Sequence, residues 1–218
     1  KFRLFRLGYV HWPARTWQDV GGAPTYNRAN LGVEQGYNDV GPEGAQRRVY
    51  TASRATWSNI WTTPGGGSLS ISWRVSGWGL KEEITINRAA RQWVQANRPP
   101  STAASETYFA LVFQIDPQDI PRWVKNGIAQ SIDGDFDDGQ SAIELRDAAD
   151  RLLAFLPVDA VEVPGEPATE EEAARPRQAT LRKRIWKDAD GNHYLLVGVR
   201  CDVLASLAPG DLVFDPSI

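Results

Sequence analysis

Residues 68–76 read Ser-Leu-Ser-Ile-Ser-Trp-Arg-Val-Ser: Leu69, Ile71, Trp73 and Val75 alternate with Ser68, Ser70, Ser72, Arg74 and Ser76. Successive side chains of a strand point to opposite faces, so this period of two predicts a strand with one apolar and one polar face. Downstream, a turn at residues 77–79 and a second alternation through Ile84 and Ile86 predict the partner strand of a hairpin. The sequence AARQWVQAN (89–97) follows as a short helix ended by Pro99 and Pro100.

Upstream, residues 47–63 are rich in Thr, Trp and β-branched side chains, which suits a pleated surface, and Pro64 with three glycines ends the segment. The opening FRLFRLGYV (2–10) alternates as a half-buried strand. Between them, residues 11–44 are rich in Gly, Pro, Asn and Asp and read as a long ordered loop with one short strand near 31–37. In the second half, TYFALVFQI (107–115) is apolar almost throughout, as expected of a central strand buried on both faces.

Two helices are expected next. One covers residues 121–132, and the other covers 141–156, where Leu145, Ala148, Ala149, Leu152, Leu153 and Leu156 form a stripe and Asp147 and Arg151 lie four apart. Residues 164–178 are polar and acidic and read as a surface excursion or flexible arm. LRKRIWK and HYLLVGVRCDVL flank the turn sequence DADGN (188–192) as a hairpin, and DLVF (211–214) is a last strand. The sum is a single α+β domain over 1–218, mainly antiparallel sheet with two or three helices, most of them in residues 88–156.

With 218 residues, 42% hydrophobic and 23% charged, the chain has an ordinary globular composition. No window approaches the roughly 18 consecutive apolar residues of a membrane helix, and the opening is too short and too soon polar for a signal peptide. We therefore expect a soluble protein, assembled in a cytoplasm or in a virion. Cys201 has no partner for a disulfide and sits in an apolar run, where a thiol acts as a small core hydrophobe. Charge is divided unevenly: residues 1–100 hold 13 Lys+Arg against 6 Asp+Glu, net +7, and residues 101–218 hold 11 against 21, net −10. Two such halves suit intramolecular packing or head-to-tail contact between copies.

Candidate sites are few. Asp133, Asp135, Asp137 and Glu144 occupy positions 1, 3, 5 and 12 of a twelve-residue segment, as in an EF-hand calcium loop, but Asp138 stands where that loop needs Gly. The competing reading is a capping box, Ser141 with Glu144, starting the second helix behind an acidic turn. Ca²⁺ is the only cofactor the sequence suggests; two His, one Cys and no Met leave no zinc set. No nucleophile elbow, phosphate loop or other catalytic motif occurs. Seven of the nine Trp lie in the basic first hundred residues, several in polar surroundings. Trp57 and Trp61, which share a face on a straight strand, with Trp12, Trp17, Arg47 and Arg48, are the candidate binding or interface residues.

No family signature is present. The profile points to a non-enzymatic structural subunit of a multi-copy particle, such as a phage tail or neck component, whose partners are copies of itself and other particle subunits. A carbohydrate-binding module with exposed Trp is the alternative, and a nucleic-acid binder or an enzyme of unrecognised type remain open. The net charge of −3 weighs against nucleic acid.

Overall fold

The computed structural model describes residues 2–40, 47–76, 79–116 and 122–214. In chain order the strands are β1 (Phe2–His11), β2 (Thr16–Asp19), β3 (Leu31–Val40), β4 (Arg47–Thr63), β5 (Gly67–Ser76) and β6 (Gly79–Ile86). Helix α1 (Arg88–Ala96) precedes β7 (Thr107–Ile115), β8 (Arg122–Lys125), β9 (Ile128–Gln130), β10 (Phe136–Asp137), β11 (Ile143–Arg146), β12 (Leu152–Leu156) and β13 (Ala160–Glu162). The remainder is α2 (Glu170–Ala173), β14 (Gln178–Thr180), β15 (Arg182–Lys187), β16 (His193–Arg200), α3 (Cys201–Ser206) and β17 (Leu212–Phe214). Strand accounts for 49% and helix for 12%, so the chain is β-rich α+β.

The strands form three sheets of six (β10-β15-β16-β7-β1-β2), four (β12-β11-β8-β9) and seven (β14-β13-β17-β6-β5-β4-β3), with every pairing antiparallel. The hairpin at 67–86 pairs as its alternation predicts, with Leu69 opposite Ile86 and Ile71 opposite Ile84, all four fully buried. Between β4 and β5, Gly65 and Gly66 both carry φ near +80°, which only glycine adopts at little cost. Strand β7 lies inside the six-stranded sheet, flanked by β1 and β16, and is covered on both faces. Phe109, Leu111 and Phe113 face the main core, while Ala110 and Val112 belong to a smaller cluster on the opposite face. All three sheets feed the main core: Leu7 and Leu195 come from the first, Ile143 and Leu145 from the second, and Ile71 and Phe214 from the third. Phe109 and Phe214 meet edge to face with centroids 6.2 Å apart.

An ion pair is sealed inside this core. Lys183 is fully buried, its Nζ 2.6 Å from Asp159 Oδ2, and it also donates to the Pro157 carbonyl. The pair ties β15 to the segment joining β12 and β13.

Both helices expected in the second half are strands. Residues 121–132 contain the β8–β9 hairpin, closed by Asn126 and Gly127 at φ +50° and +76°. Residues 141–156 contain the β11–β12 hairpin, in which Asp147 accepts hydrogen bonds from the Ala149 and Arg151 amides. The Asp147–Arg151 pair therefore spans a tight turn instead of a helical face, and no helix exists there for Ser141 and Glu144 to cap. Of the three helices only α1 falls within 88–156; α2 and α3 come later. Residues 11–44 hold two strands, β2 and β3, where one short strand is expected. Residues 164–178 lie on the surface but are tied down: Arg177 donates to the Val163, Pro164 and Gly165 carbonyls, and the Pro176 carbonyl accepts from the Ala208 amide. Among the described residues no helix is long and apolar enough to cross a membrane.

Candidate functional site

The outer face of the six-stranded sheet carries a cluster of aromatic side chains. Val10, Ala110, Val112, Tyr194 and Leu196 form an apolar floor, and Trp12, Trp17, Tyr108 and Trp186 pack against it. Trp12 is fully engaged. Its ring stacks on Tyr108 with centroids 4.4 Å apart, the Arg184 and Arg182 guanidinium carbons lie 5.1 and 5.9 Å from its centre, and its Nε1 donates to Asp137 at 3.3 Å.

Trp17 and Trp186 instead wall a cleft with Tyr194, floored by Val112 and flanked by Arg6 and Asp188, enclosing about 70 Å³. Glycine at position 8 admits the Trp17 ring, since a Cβ there would fall 2.8 Å from Trp17 Cη2. The polar edges are held: Trp17 Nε1 donates to Asp19 at 2.7 Å and the Tyr194 hydroxyl donates to Asp188 at 3.0 Å. Burial, reinforced by the bond to Asp188, pushes the Tyr194 phenol above its ordinary pKa. The cleft therefore offers neutral, apolar walls with one cation and one anion near its mouth.

The acidic segment 133–144 is neutralised by β15. Asp133 meets Lys187 at 2.6 Å and His193 at 3.2 Å, and these contacts hold its carboxyl below the usual range. Asp135 receives a two-pronged Arg184 at 2.6 Å on each oxygen and Arg15 at 2.8 Å. Asp137 pairs with Arg182 at 3.2 Å, and the buried Asp138 accepts from Arg182 and from the Lys183 amide. Glu144 lies on β11 and accepts from Arg146 at 2.7 Å. Each carboxylate is thus paired with a cation, Arg182 serving both Asp137 and Asp138, and the four expected calcium ligands are not brought together. Among the described residues no group of three or more His, Cys, Asp or Glu converges as a metal set does.

A third feature is apolar and bare. Strand β12 closes one edge of the four-stranded sheet, and its Leu152, Leu153 and Phe155 are 55%, 53% and 56% exposed, with Val158 exposed just beyond. Among the described residues, four of the six exposed large hydrophobic side chains therefore fall in seven consecutive residues.

The remaining expected residues scatter. Trp61 is buried at 3% exposure, so Trp57 and Trp61 are not an exposed pair. Trp57 opposes Ile71 and Trp61 opposes Leu69, so β4 carries two extra residues there, and Asn59 takes φ +52° within the bulge. Both residues face the core side of the sheet, Trp61 packing against Trp93 and the partly buried Trp57 edge-on against Trp73 at 5.0 Å. Arg47 and Arg48 begin β4, and their side chains, like Trp78, lie outside the described residues. Cys201 is buried, and burial raises its thiol pKa to about 11, as suits a core residue. Trp186 and Tyr194 went unnoticed in the sequence; the signal available was their position in the hairpin predicted around DADGN, where they pair directly.

Set against protein-family models, curated proteins and solved structures, the chain matches none.

Proposed function

We propose that this chain is a non-enzymatic structural subunit that assembles with copies of itself inside a larger particle, using β12 as a mating edge. The observation that carries the reading is the run Leu152–Leu156: an edge strand leaves backbone donors and acceptors unpaired on its outer side, and soluble proteins usually guard such edges with charge or proline. Here the edge displays Leu and Phe, which favours the same strand from a second copy, paired antiparallel about a two-fold axis. The opposite net charges of the two halves offer further contacts for growth beyond a dimer. A phage tail or neck remains the kind of particle that the composition suggests.

Light scattering across concentration and salt tests the proposal with wild type and the double variant Leu153→Lys/Phe155→Lys. The wild type should form a defined oligomer and the variant should be monomeric with an unchanged Tm. A wild type that stays monomeric throughout, or a variant that assembles equally well, overturns it.

The cleft between Trp17 and Trp186 supports a second reading, binding of a glycan through ring stacking. Sugars that quench Trp fluorescence in the wild type but not in Trp186→Ala would favour that reading; an unresponsive wild type would remove it.

A further inference from the structure

Three guanidinium groups line one small cleft between α1 and the segment after α3. Arg88 and Arg91 come from the first turns of α1, Arg175 follows α2, and with Gln92 and Gln95 they border a cavity of about 110 Å³. Their hydrogen-bond donors are spent very unequally. Arg91 is buried and uses both terminal nitrogens on the Leu204 carbonyl in α3 and the Leu207, Ala208 and Gly210 carbonyls after it. Arg175 gives Nε to Ser206 and Nη2 to Ala205, and among the described residues its Nη1 and the Arg88 side chain have no hydrogen-bond acceptor.

None of the three enters an ion pair with a described residue, in contrast to Arg182 and Arg184 on β15. The nearest carboxylate in the bonding pattern is Asp211, which accepts the Arg88 backbone amide at 2.8 Å. The first turn of α1 holds no acidic residue, although the positive end of a helix favours one. Burial first, then the charges of Arg175 and Arg88, depress the Arg91 pKa to about 10, so the three guanidinium groups repel one another at this cleft.

We propose that this cleft binds a phosphate group, clamped between Arg88 and Arg175, with the Arg91 charge behind it and the amide of Gln92 at the rim. Guanidinium forks match the oxygens of such an anion, and a ligand bearing two negative charges relieves the mutual repulsion of the three cations.

The probe is inorganic phosphate, added to the full chain against sodium chloride of equal ionic strength and followed by calorimetric titration and by Tm. Saturable binding with a rising Tm is expected. Arg88→Gln should weaken it about tenfold or more while leaving the Tm in chloride unchanged, because that side chain makes no hydrogen bond or ion pair among the described residues. Equal binding of methyl phosphate would identify a phosphate ester as the natural source, and binding of inorganic phosphate alone would identify the free ion. No saturable response beyond chloride, or one that survives in Arg88→Gln/Arg175→Gln, overturns the proposal.

Discussion

Strands β5 and β12 carry similar apolar runs, Leu69-Ser-Ile71-Ser-Trp73 and Leu152-Leu-Ala-Phe-Leu156, and meet opposite fates. Strand β5 lies between β4 and β6 with α1 against it, and its Leu69 and Ile71 are fully buried. Strand β12 has β11 on one side only, and four of its five residues are exposed. Hydrophobicity sets what a strand can bury; its position in the sheet sets whether it does. The first strand is spent on the fold, and the second is left over for contact outside it.

The contrast can be sharpened first where it is most extreme, at the charges inside the core. Lys183→Ala strands Asp159 without its cation and should cost about 3–5 kcal/mol in denaturant unfolding, whereas Lys183→Met/Asp159→Leu should recover most of that loss. Next, Ile71→Ala on β5 should cost about 2–5 kcal/mol, while Phe155→Ala on β12 should stay within about 0.5 kcal/mol. Equal losses at the two positions would erase the distinction drawn here.

A smaller effect concerns pH. Burial raises the Glu82 carboxyl to about 7, partly offset by a hydrogen bond from Trp73. The folded state then keeps a proton that the unfolded state releases from about pH 4.5 upward, so stability falls as pH rises through that window and levels off above pH 7. Glu82→Gln should remove on the order of 2–3 kcal/mol of this pH dependence and be the more stable form above pH 7. Urea midpoints between pH 5 and 8 check it, and parallel curves for both proteins would count against the assignment.

How much of this was legible in the sequence follows from how local each signal is. The β5–β6 hairpin, the doubly buried β7, α1 and the β15–β16 hairpin are each specified by a period or turn within about ten residues, and all are present. The stripe from Leu145 to Leu156 is ambiguous because apolar residues three and four apart arise equally when two short strands flank a five-residue turn. Asp147 makes that turn by bonding two later amides. At 121–132 the Asn126-Gly127 pair was the available hairpin signal and was outweighed by the apolar spacing. Trp57 and Trp61 share a face as their spacing predicts, but that the face is the buried one depends on the packing of Trp93 and Trp73 against it, and the acids of 133–144 cannot be matched to β15 without the pairing of β10 with β15. The cleft of arginines unites α1 with residues near 175, a juxtaposition no local pattern encodes.

Strand β17 has a consequence for how the molecule is made. It sits between β6 and β13, with Leu212 opposite Ile86 and Phe214 opposite Ile84, although more than a hundred residues separate the partners in sequence. During synthesis β6 emerges from the ribosome long before its neighbour exists, and its open flank, with Ile84 and Ile86 still uncovered, must wait for the last of the described strands. The seven-stranded sheet is therefore closed late, and the nascent chain passes through a stage in which a helper that shields bare strand edges would raise its yield.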